Sequence, residues 1–153
     1  MHAIAIALHL LAAVVWVGGM FFAHQALRPV AAALLDPPLR LPLWVNTLGR
    51  FFVWVWLAVI LLLVTGYWMA LNMFGNFAAF PLYINLMQGI GWLMILLYFH
   101  VYFAPYQGLR RAVTAGDWPA GAAQLARIRR IVGINLILGL TVISVGVSGR
   151  FLA

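Results

Sequence analysis

Trp92-Leu-Met-Ile-Leu-Leu-Tyr-Phe-His100-Val-Tyr-Phe-Ala-Pro105 decides how this chain is read. The run is apolar except for one imidazole, and an imidazole among lipid tails is costly unless something binds it. An earlier segment repeats the spacing: Trp16, His24 and Pro29 precede Trp92, His100 and Pro105 by a constant 76 residues. Two copies of one unit are therefore expected.

Outward from this pair, four apolar stretches run approximately over 3–27, 43–72, 82–106 and 127–151. Each reaches the roughly 20 residues that a helix needs to cross about 30 Å of hydrocarbon. Of the 153 residues 67% are hydrophobic and 7% charged, which excludes a soluble domain. The expected fold is an all-α membrane protein, a single four-transmembrane-helix bundle over 1–153. Its two tandem helix hairpins should be related by a pseudo-two-fold axis along the membrane normal. Met1-His2-Ala3 offers no basic leader region, so the first span is expected to remain as a helix.

The net charge of +7 comes from nine Arg and no Lys, against Asp36 and Asp117. Arg28 and Arg40 fall in the first connection, with Arg50 just inside the second span. Arg110, Arg111, Arg127, Arg129 and Arg130 surround the third connection, and the loop about 73–81 carries no charge. The positive-inside rule puts connections one and three in the cytoplasm and both termini outside, with Arg150 dissenting. A bacterial inner membrane is the expected location. Nucleic acid is not an expected partner. Membrane lipid is, together with a membrane redox partner or quinone, and a second copy through Gly-lined faces.

The first connection holds Pro29, Pro37, Pro38 and Pro42, which predicts a short interfacial helical turn around 30–35 and then an extended return. Later punctuation is equally readable. Pro105 ends the third span, Gly116 offers a left-handed cap, and Asp117 with Pro119 opens the next helix.

Cysteine is absent, so a metal must be held by His, Met or oxygen. His9, Trp16, Met20 and His24 fall on one helix face, and Asn85, Gln88, Trp92 and His100 form a stripe on another. Spans one and three run parallel, which sets His24 level with His100 across the axis. Haem b suits such a pair, with propionates paired to Arg50, Arg127 and Arg130, and to Arg28. His9 lies near the opposite surface. The same side chains admit copper: Met20, Met69, Met73, Met87 and Met94, with His9, are soft ligands for carrying Cu(I) inward. Both acidic residues sit in connections, which leaves a hydrolase without its machinery.

Leu8-His9-Leu10-Leu11 with Trp16-Val-Gly-Gly19 resembles the opening helix of the copper-resistance protein D family. Tyr98-Phe-His100, Ala104-Pro-Tyr106 and Arg127-Ile-Arg-Arg-Ile-Val-Gly-Ile-Asn135-Leu136 extend the likeness over nearly the whole chain. That family is similar in layout to the HemJ-type protoporphyrinogen oxidases, which bind haem b through histidine. The resemblance marks His9 and His100 as the family-type histidines. It implies either one His with a second ligand, such as Met69 or Met87 near His9, or two separate sites. The lysine of the HemJ-type pattern is missing, with Gln88-Gly89 at that place, which departs from porphyrinogen oxidation.

Overall fold

A computed structural model describes residues 1–151. Five helices account for nearly all of them: α1 (His2–Leu34), α2 (Pro37–Phe74), α3 (Leu82–Phe103), α4 (Pro105–Ala115) and α5 (Trp118–Ser148). Four helical stretches are long and apolar enough to cross a membrane, α3 being counted together with α4. At 1.5 Å per residue, the 38 residues of α2 span roughly 57 Å. The long helices therefore reach past the hydrocarbon layer into the headgroup region.

The apolar pattern explains the packing. Leu41, Trp44, Leu48, Phe52, Val55 and Val59 recur every three or four residues along α2 and are buried as one stripe. Against it lie Trp16 and Met20 of α1, Tyr98 of α3, and Tyr106 and Leu109 of α4. α1 packs along α2, α3 and α4 pack along α5, and α5 also touches α1 and α2. Large side chains such as Leu10, Val53, Ile60, Leu96 and Ile137 face outward, as lipid solvent permits.

The first connection is tighter than the prolines predict. α1 does not stop near residue 27 for a separate interfacial turn but continues to Leu34, and the non-helical link is only Leu35 and Asp36. A widened turn at Ala23–Leu27, in which the Arg28 N–H reaches back to the Ala23 carbonyl, lets the helix pass Pro29. Pro37 and Pro38 occupy the first turn of α2, where no intrahelical N–H is required. Only Pro42 interrupts the ladder, and its carbonyl accepts from Asn46 Nδ2 at 2.9 Å.

At the second connection Gly75 takes φ +81°, a left-handed conformation suited to glycine, and Asn76 accepts from the Ala79 N–H at 3.0 Å. α3 ends at Ala104-Pro105, and α4 then lies along the arginine-rich end of the bundle. It buries Tyr106, Leu109 and Ala112 and exposes Arg110 and Arg111. Gly116 closes α4 at φ +68°, and the Asp117 carboxylate accepts from the Ala120 N–H at 3.0 Å. α5 thus begins well before the apolar run at 128 and carries its first three turns into the basic end.

Candidate functional site

His9 faces α2 near the end of the bundle opposite the arginine-rich connections. Its Nδ1 lies 2.9 Å from Thr65 Oγ1, and the Thr65 hydroxyl donates to the Leu61 carbonyl one turn back. A hydroxyl has one hydrogen, so Thr65 accepts from His9 Nδ1–H. In the neutral ring this fixes the tautomer and leaves the Nε2 lone pair free; no protein partner engages it among the described residues. The ring fits because residue 66 is glycine: a methyl there would lie 3.1 Å from His9 Cε1. Met69 is one turn from Thr65 on the same face of α2 and is half-buried.

Farther along α1, Trp16 and Met20 are 3% and 2% exposed, so the face that carries the histidines points inward. Val17 and the Met94 methyl both press on Gly139, where an added Cβ would lie 2.8 Å and 3.2 Å from them. Met20 and Met94 thus occupy the interior between the two ends. Nearby, Asn135 Nδ2 donates to the Met94 carbonyl at 3.4 Å, and its Oδ1 is buried without a partner among the described residues.

His24 rests on α5. A methyl at Gly133 would lie 3.1 Å from His24 Nε2, while Nδ1 accepts from Gln25 Nε2 at 3.4 Å. Beside it opens a cavity of about 320 Å³ between α1, α2 and α5. Arg28, Arg40 and Arg129 line it with His24, over a floor that includes Leu41, Trp44 and Ile128.

His100 is exposed on the outward face of α3. Asn85 and Trp92 are exposed on the same stripe, with Trp92 Nε1 donating to Tyr67 Oη at 2.9 Å. The inward face at this level carries a ring cluster instead. Phe52 makes edge contacts with Tyr98, Tyr102 and Tyr106 at centroid distances of 5.5, 5.8 and 4.9 Å, and Trp56 stacks on Phe99 at 5.1 Å. His24 lines the cavity between α1, α2 and α5, and the exposed His100 does not.

The remaining expected ligands are dispersed. Met87 packs on Gly146, where an added Cβ would lie 2.9 Å from its Cε. Arg50, Arg127 and Arg130 are exposed and line no part of the cavity; Arg40 and Arg129 take the places expected of them. Charge count cannot separate Arg129 from Arg127 and Arg130, because only the packing of α5 decides which one borders the cavity. Thr65 escaped the sequence reading as well. Its one signal is a hydroxyl beside glycine within an apolar run. Among the described residues no group of three or more His, Asp or Glu side chains converges.

No curated protein and no solved structure matches the chain. Residues 45–148, about two thirds of the sequence, match the family model described as copper resistance protein D. That match takes in most of α2 and all of α3, α4 and α5, and leaves α1 with His9 and His24 outside it. On the strength of that match and of its four apolar helices, the chain belongs to the copper resistance protein D family.

Proposed function

We propose that this protein handles copper in the membrane, taking up Cu(I) at the end of the bundle that carries His9. The observation that carries the reading is the hydrogen bond from His9 Nδ1 to Thr65 Oγ1, which presents a neutral imidazole with Nε2 unengaged. A ligating histidine is typically held in this way, by a second partner on its other nitrogen. Met69 on the adjoining face supplies the soft thioether that Cu(I) favours. Met20 and Met94 are buried farther in and offer weak ligands along the way. Family membership supports copper as the cargo. We read the arginine-rich end as cytoplasmic in a bacterial inner membrane, which makes the direction of movement inward.

The competing reading is a haem-b carrier in membrane electron transfer. One observation favours it: His24 shares its cavity with three guanidiniums that propionates could pair with. It requires ligation through His24 without His100.

Detergent-purified protein titrated with Cu(I) against a competing chelator, and followed by its optical spectrum, separates the two. Copper handling predicts stoichiometric Cu(I) binding by a colourless protein, lost in His9→Ala. A Soret band with a sharp reduced α-band, and no competition for Cu(I), would establish the haem carrier instead.

A further inference from the structure

We infer that the cavity between α1, α2 and α5 is a binding site for the phosphodiester headgroup of an anionic phospholipid. The inference stands apart from the copper reading, because it concerns the other end of the molecule. Three guanidiniums and one imidazole, from Arg28, Arg40, Arg129 and His24, line the space, and no lining residue is acidic. Arg40 makes only long contacts, through one nitrogen, with the Ala32 and Leu35 carbonyls at 3.5 and 3.4 Å. Arg28 and Arg129 donate to no protein acceptor among the described residues. Gathered cations without a carboxylate repel one another, and an oxyanion with several acceptor oxygens relieves that repulsion while filling their donors.

Two further features select an amphiphile over a free ion. The floor is hydrocarbon and indole, Leu41, Trp44 and Ile128, all buried, which suits the glycerol and upper acyl chain of a lipid. On α5 the cavity is lined by residues from Ala122 to Val132 and so straddles the start of the long apolar run at 128, the depth at which phosphates of a bilayer sit. An anionic headgroup is favoured over a zwitterionic one because choline or ethanolamine would return a positive charge to a site that already holds three.

The test uses the full chain in detergent, with dioleoylphosphatidylglycerol and dioleoylphosphatidylcholine as probes. Native mass spectrometry should show phosphatidylglycerol retained at least about tenfold better than phosphatidylcholine. Binding should raise the melting temperature. Arg28→Gln and Arg129→Gln should each weaken retention roughly fivefold. Ala126→Phe, which narrows the cavity and leaves every charge in place, should weaken it too. Arg110→Gln with Arg111→Gln, on the exposed face of α4, should leave it unchanged. Equal retention of the two lipids overturns the inference. So does the same thermal shift from inorganic phosphate alone, displacement of the lipid by haemin at equal concentration, or undiminished binding in Ala126→Phe.

Discussion

Gly66 in α2 and Gly146 in α5 each follow an arginine, Arg50 and Arg130, by 16 residues, and the two glycines are used differently. Gly66 receives the imidazole of His9, and Gly146 receives the thioether of Met87. The residue before Gly66 is Thr65, which anchors the ring; the residue before Gly146 is Val145, which cannot. A similar divergence separates His24 from His100. Both follow a tryptophan by eight residues, yet His24 turns onto Gly133 while His100 is exposed. Equal spacing from a tryptophan therefore does not determine face. α3 buries Met94, Ile95, Tyr98 and Val101 against its neighbours, and this apolar side wins the interior over the stripe of Asn85, Trp92 and His100. His100 lies near the end of α3, where an imidazole is tolerated at the interface, so little opposes its outward place.

The contrast between hairpins can be broken most forcefully at the imidazole. His9→Ala is expected to lower Cu(I) affinity by about 100-fold or more, since even loss of a supporting partner typically costs roughly 10–100-fold. Met87→Leu, at the matching glycine of the second hairpin, should change it by less than about twofold. Chelator competition measures both. Next comes the anchor: Thr65→Val removes the acceptor for Nδ1–H and should cost about tenfold, whereas Val145→Thr should gain nothing, because no ring faces it. Gly66→Ala is milder. Its methyl would sit 3.1 Å from His9 Cε1 and must displace the ring by a few tenths of an ångström. A loss of a few-fold is expected, about half of that for Thr65→Val on a logarithmic scale. Gly146→Ala should be silent for copper, since Met87 is flexible enough to move aside. The smallest effect belongs to His100→Phe, an exposed position. It should change the unfolding free energy by no more than about 0.5 kcal/mol, measured by denaturant titration in detergent, and leave Cu(I) binding intact.

The four spans and the α4 punctuation at Pro105, Gly116 and Asp117 were legible because hydrophobic length and proline, glycine and N-cap chemistry act locally. The first connection was not, because a widened turn at Ala23–Leu27 carries the helix past Pro29, and Pro37 and Pro38 both fall where a helix can begin. At the site, the helix face that joins His9, Trp16, Met20 and His24 could be read from spacing alone. That the corresponding stripe of α3 points outward could not, since periodicity defines a face without saying what it meets. The same limit hid Thr65, Arg40 and Arg129. Each became part of a site through the helix packed beside it.

X-ray absorption at the copper edge of the Cu(I)-loaded protein reads the ligand of the metal itself. Copper held by His9 gives an imidazole scattering signature in the wild-type protein that disappears in His9→Ala while His24 and His100 remain. An imidazole signature that persists unchanged in His9→Ala would contradict it, and would assign the metal to another histidine.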